Sequence, residues 1–206
     1  MSGFDLRAFL ANGLIWGGAR PSTFDVQGTI PAAIVGNMDS TTMNRLQFTC
    51  KAASVPALRL GRIPVGYFGA KIKLAGDREW DDWRITVMND EDFNGRAFFE
   101  SWNNSIMAFI SNYMQSAEDQ VSVSNIAAIV EESYKADWTV TQYGRDKTPI
   151  RAYTFIGMWP SIVAEMPLDW DMSNRIQEFG VTMTFDTMYP SLEGQRGNQT
   201  LYQDNV

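Results

Sequence analysis

The sequence contains no histidine, a single cysteine and no long apolar run. Without imidazole, the Ser-His-Asp and Cys-His routes to nucleophilic catalysis are excluded, and with them most zinc and non-haem iron sites. One thiol, Cys50, cannot form an intrachain disulfide, so nothing asks for an oxidising compartment. No stretch approaches the roughly 18 apolar residues of a membrane-crossing helix. The opening residues, MSGFDLRAFLANGL, lack the basic start and apolar centre of a secretory signal, so a reducing cytosol is the expected site of assembly. Neither GxxxxGK nor GxGxxG occurs, so nucleotide binding has no motif. Basic residues are in deficit, 17 against 24 acids, and a formal charge of −7 is the wrong sign for gripping nucleic acid.

What is present is a core. Hydrophobic residues make up 45% and aromatics 13% of 206 residues, enough to bury most apolar surface in one domain. That domain is expected over residues 1–190, with a polar, flexible tail at 191–206.

Residues 62–93 organise the chain. Ile63 and Val65 share one parity, and Ile72 and Leu74 alternate with Lys71 and Lys73, as in strands. Gly66-Tyr67-Phe68-Gly69 reads as a bend in a strand pair, Gly76-Asp77 as a turn, and Trp83 to Val87 as a further strand. Asn89 is then expected to cap a helix, with Asp92 completing a capping box and Met88 and Phe93 a hydrophobic staple. That helix, about 90–110, carries Phe98, Trp102, Ile106, Phe109 and Ile110 as a stripe suited to sealing a sheet.

Around this stretch, residues 3–15 read as a short helix or a movable arm. Phe24 to Ile30 alternates as a strand, and the polar residues 31–44 read as an exposed insertion. Leu46, Phe48 and Cys50 share a parity, so a strand is expected there, with Cys50 as a small core residue and not a nucleophile. Residues 52–61 form a long, partly apolar join that covers either its own domain or a partner. Residues 111–133 read mainly as a second insertion. Ala136, Trp138 and Val140 mark a strand, and Gly144-Arg145-Asp146 a turn. A strand with Tyr153 and Phe155 is expected to end at Gly157–Pro160, and Val181, Met183 and Phe185 mark the closing strand.

IPVGYFGAKIKLAGDREWDDWRITVMNDEDF and GMWPSIVAEMPLDWDMSNRIQEFGVTMTFD resemble the central and closing segments of tail tube proteins of contractile-tailed (myovirus-type) bacteriophages. ARPSTFDVQ is similar to that family's first strand, and together the matches span some two-thirds of the chain. The resemblance implies a mainly β fold: a sandwich or partial barrel of two antiparallel sheets, one main helix, and a short N-terminal helix or arm. It implies a structural virion protein, not an enzyme, with no cofactor. Rings of six would stack into the inner tube, inside a sheath and between baseplate and terminator proteins, as the conduit for the ejected genome. Arg59, Arg62, Asp77, Arg78, Trp170 and Asp171 are the subunit-contact residues it implies.

Other chemistry is weaker. Asp77, Glu79, Asp81 and Asp82 imitate the opening of a calcium loop, but its sixth position is Asp82 instead of Gly and its twelfth Met88 instead of Glu. A solvated turn with Arg78 and Arg84 as ion partners explains the acids better. Glu131 and Glu132 have no sign of a sugar cleft around them. Trp83, Trp102 and Trp138 fall on core parities, while Trp159 and Trp170 lie in turn-rich stretches and suit interface anchors. Two alternatives stand beside the phage tube: the tube of a phage-derived injection particle or secretion system, and a monomeric β-sandwich binding module.

Overall fold

The computed structural model describes residues 18–37, 40–107, 134–171 and 173–191. The expectations for residues 3–15, 111–133, Phe109, Ile110 and the chain beyond Ser191 lie outside these described residues. Nine strands and two α-helices follow in order: β1 (Phe24–Gly28), α1 (Ser40–Thr49), β2 (Cys50–Ala53), β3 (Leu58–Tyr67), β4 (Ala70–Trp80), β5 (Trp83–Met88), α2 (Asn94–Ile106), β6 (Ala136–Tyr143), β7 (Pro149–Val163), β8 (Glu178–Thr184) and β9 (Thr187–Ser191). A 3-10 helix, Ala32–Asn37, precedes α1.

All pairing is antiparallel. The main sheet runs β1-β6-β7-β8-β5-β2, with β9 also on β7. Strand β7 is the spine: its first half pairs with β6 and β9, its second half with β8. Two antiparallel sheets therefore share one bent strand, the sandwich or partial barrel expected. The bend sits at Gly157, where φ is +68° and the backbone N–H donates to Asp137 Oδ1 at 3.0 Å. Across from it, Asp186 donates its N–H to the Ile156 carbonyl and holds Lys135 Nζ at 2.9 Å.

That bend corrects one expectation. The strand does not end at Gly157–Pro160 but turns there and continues to Val163. Pro160, which has no N–H to give, sits at a register shift between Pro160 and Ile162, where the ladder is already interrupted. Trp159 is consequently in a strand, its ring edge-on to Tyr134, and not in a loop.

Residues 31–44 are corrected too: the 3-10 helix and α1 occupy this region, and helix extends over Leu46 and Phe48 where a strand was expected. Within the helix Thr42 and Leu46, four residues apart, are buried while Phe48 is 80% exposed; Cys50, also buried, is the first residue of β2. A stripe of period 3.6 packs α1 on the sheet despite its poor helix formers, because burial outweighs propensity.

The acidic cap is also different. Helix α2 begins at Asn94 behind Phe93, which is left-handed (φ 55°) and offers no side-chain cap. Asn89 is diverted: its amide donates to Gln177 Oε1 at 3.0 Å and its N–H to the Gln177 carbonyl at 2.8 Å. Phe93 is exposed, so no staple forms, and Asp90 and Asp92 face Arg45 instead.

Phe98, Phe99 and Trp102 of α2 are fully buried and meet the sheet at Trp138. Trp83 stacks on Phe155 at 4.9 Å and lies edge-on to Trp138 at 6.1 Å. Gly28 is required above this cluster, since a Cβ there would lie 2.5 Å from the Trp138 indole. Trp102 Nε1 donates to the Tyr134 carbonyl at 2.6 Å, tying helix to sheet.

Candidate functional site, a subunit interface

Among the described residues strands β3 and β4 pair only with each other, from Leu58↔Trp80 to Tyr67↔Ala70. Nearly every residue along them is exposed. This long hairpin corrects two expectations. The join at 52–61 shrinks to the short link between Ala53 and Leu58, because β2 and β3 take up the rest. Gly76-Asp77 is not a turn but a bulge within β4 opposite Gly61, where the register slips. A Cβ on Gly76 would lie 3.1 Å from the Gly61 carbonyl carbon, so two glycines let the backbones pass closely.

The turn itself is Phe68-Gly69, with φ of 44° and 83°. Two central residues at positive φ are what a two-residue type I′ hairpin demands, and glycine meets that demand more easily than phenylalanine. Phe68 is nonetheless 93% exposed at the tip.

Alternation splits the hairpin into two unlike faces. Ile63, Val65 and Tyr67 oppose Leu74, Ile72 and Ala70, giving one apolar face in solvent. Arg62, Lys71 and Lys73 lie on the other. At the base, the Arg78 guanidinium sits over Trp80 at 5.6 Å, and Trp80 reaches Phe185 of the core at 6.1 Å.

Of the anticipated contact residues, Arg59, Arg62, Asp77 and Arg78 come together on this hairpin. Arg59 is already engaged, its Nη2 2.9 Å from Asp81 Oδ2. Arg78 stacks on Trp80, while Arg62 and Asp77 are exposed. Trp170 and Asp171 lie elsewhere, on the loop 164–177 between β7 and β8, with Trp170 fully exposed and Asp171 N–H bonded to Asp169 Oδ1. Beneath that loop is an open groove of about 650 Å³, bounded in part by Lys51, Leu168, Asp169 and Ile176. Leu168 and Ile176 were missed, although as apolar residues in a turn-rich stretch they were visible.

The acids of the imitation calcium loop disperse. Asp77 and Glu79 stay on β4, Asp81 pairs with Arg59, and Asp82 accepts from Thr184 Oγ1 at 3.1 Å. Among the described residues no group of three His, Cys, Asp or Glu is placed to hold a metal ion. Cys50 is buried, and desolvation followed by the nearby Asp25 charge pushes its thiol up to about 12. At neutral pH it is a core thiol.

A closed core, beside an arm that no other element among the described residues covers, marks a subunit of an assembly. Comparison with known proteins makes that class specific. The family model for phage tail tube proteins matches residues 19–190. Tail tube protein gp19 of Enterobacteria phage T4 is 41% identical over 140 residues, covering 68% of this chain and 78% of that protein, and its counterpart in phage T6 matches equally. Among solved structures, the tube-terminating cap of the anti-feeding prophage has the same fold, with a TM-score of 0.56, 16% identity, and coverage of 85% of this chain and 91% of that one. A sheath/tube terminator of the PVC extracellular contractile injection system gives 0.55 and 15%, covering 84% and 96%. The chain belongs to the phage tail tube protein family, and its role is structural, in the inner tube of a contractile tail.

Proposed function

We propose that six copies close into a ring around a channel, and that rings stack into the tube through which the genome leaves. The observation that carries this reading is the hairpin: an arm with one apolar face, anchored at its base and left uncovered by the rest of the described residues. Pairing the edges of the main sheet, β1 and β2, with neighbours would also remove an aggregation hazard. The net charge of −7 supports passage of DNA without retention. The sheath, baseplate and terminator proteins are the partners we assign, with assembly in the bacterial cytoplasm and residues 1–190 acting as one domain. Arg62, Asp77, Trp170 and Asp171 are assigned to contacts between copies, with Arg59 and Arg78 shaping the hairpin base. The fold is shared with injection-system proteins, but 41% identity to a phage tube protein favours the phage reading over an injection particle.

Negative-stain electron microscopy at low and high concentration tests this directly. Six-fold rings or hollow tubes are expected, and a monomer that also fails to add to tail baseplates overturns the proposal. Replacing Arg59→Glu and Arg62→Glu together should leave the fold intact, since an exposed ion pair contributes only about 0–1 kcal/mol, yet weaken assembly. Unchanged tubes would remove both arginines from the interface.

A further inference from the structure

We propose that the groove beneath loop 164–177 receives the β3–β4 hairpin of a second copy of this chain. This rests on the self-assembly reading above and adds the receiving surface.

Charge is the first support. The hairpin carries Arg59, Arg62, Lys71, Lys73 and Arg78 against only Asp77 and Glu79, in a chain whose formal charge is −7. It is a basic arm on an acidic body. Its outer half, from Arg62 to Ala75, holds cations alone. The loop above the groove has the opposite sign, Glu165, Asp169 and Asp171 against Arg175; in the groove wall itself Asp169 and Glu178 are matched by Arg175 and Lys51, so the complementarity lies at the rim. Lys51, also at the groove, is spent on Glu178 at 2.6 Å.

Apolar surface is the second. The hairpin offers Ile63, Val65, Ile72 and Leu74, with Phe68 standing out at the tip. The groove's rim offers Leu168 at 84% exposure and Ile176 at 66%, with Trp170 beside them. About 650 Å³ of open volume is ample for the two aromatic rings of the tip, Tyr67 and Phe68, which already lie edge-to-face at 4.6 Å. A competing surface is that around Phe48 of α1, equally exposed and also near acids, Asp90 and Asp92 at Arg45, so the test includes it.

Hairpin and groove are different surfaces, so the contact is heterologous: each copy gives an arm and takes one. Such a contact propagates instead of closing a pair. Lys71 and Lys73 would meet Asp169 and Asp171 at the rim, where opposite charges set register and approach more than affinity.

The test mixes two full-length variants, Phe68→Cys and Leu168→Cys, under mild oxidation; buried Cys50 stays silent. A cross-linked dimer is expected from the mixture and not from either variant alone. In parallel, Lys71→Glu with Lys73→Glu should raise the concentration needed for assembly roughly tenfold, and adding Asp169→Lys with Asp171→Lys should restore it. Wild-type rings or tubes without the 68–168 cross-link, or with Phe68→Cys joined to Phe48→Cys instead, overturn the groove while leaving the tube reading intact. Wild-type protein that never assembles overturns both.

Discussion

Excising the outer hairpin should separate folding from assembly. Gly61 and Gly76 face each other across the bulge so closely that a Cβ on Gly76 would lie 3.1 Å from the Gly61 carbonyl carbon. Residues 62–75 can therefore be replaced by Asn-Gly, a dipeptide suited to a type I′ turn. The base, with Leu58, Leu60, Arg78 and Trp80, stays. Removed are Ile63, Val65, Tyr67, Phe68, Ile72 and Leu74, all exposed and none part of the core. Folding stability should change by less than about 1 kcal/mol, as for surface changes away from buried features. Assembly should change far more. Fully burying a Val, Leu or Ile side chain is worth about 1.5–3 kcal/mol. Ile63, Val65, Ile72 and Leu74 are near half exposed, so each has about half of that still to gain on docking. Four such side chains give about 3–6 kcal/mol, or on the order of 10²–10⁴ in the concentration at which copies associate. Sedimentation velocity over a concentration series, beside urea unfolding, reads both quantities. A truncated chain that assembles at the wild-type concentration, or loses several kcal/mol of stability, refutes the reasoning.

Three further changes probe the body. Gly157→Ala places a Cβ 2.1 Å from Asp186 Oδ2 at φ +68°, and should cost about 1–3 kcal/mol by urea denaturation. Adding Asp186→Ala relieves the clash but not the backbone strain, so recovery should be partial. Trp102→Phe removes the 2.6 Å bond to the Tyr134 carbonyl and should cost about 1–2 kcal/mol, while near-neutral stability would show that the contact is incidental. Cys50, raised from 9.0 to about 12, favours the folded state most below pH 9, where both states keep the proton. Between pH 9 and 12 the unfolded thiol ionises first and stability falls. The wild type should therefore lose stability relative to Cys50→Ala across that window, and a constant difference would contradict the burial of the thiol.

Strands with one buried face were legible. Trp83-Ile85-Val87, Trp138-Val140 and Val181-Met183-Phe185 alternate in the sequence and are buried in the structure. Helix α1 was not, because its buried pair Thr42 and Leu46 lies four apart and so fits period 2 and period 3.6 alike, while Leu46, Phe48 and Cys50 share a strand parity although only Cys50 belongs to a strand. Short runs of that kind are ambiguous by nature. The Gly66–Gly69 bend in a strand pair was legible and is the hairpin turn, closed by Tyr67↔Ala70; what misled was Gly76-Asp77, a familiar turn pair that the register places in a bulge within β4. Asn89 has the chemistry of a cap, but Gln177, 88 residues away, claims it. The interface was half legible. Arg59 and Arg78 stood out as charges, yet their partners Asp81 and Trp80 became clear only once β3 and β4 were paired. An apolar parity such as Ile63-Val65 looks the same whether its cover is the chain's own core or a neighbour.

An exposed apolar hairpin is a hazard unless its edges are guarded, and this one is. Pro64 sits directly across from Lys73, and proline gives a would-be pairing strand no N–H. Lys71 and Lys73 place charge along β4, and the Gly61/Gly76 bulge adds twist that a flat, indiscriminate edge would lack. These features discourage pairing along the edge while leaving the side chains of one face free to dock. The core, meanwhile, closes around Trp138 without help from the outer hairpin; only Trp80 at the hairpin's base packs against it. A chain built this way can fold before it meets a neighbour, and its contacts then follow the chemistry of a face instead of the stickiness of an edge.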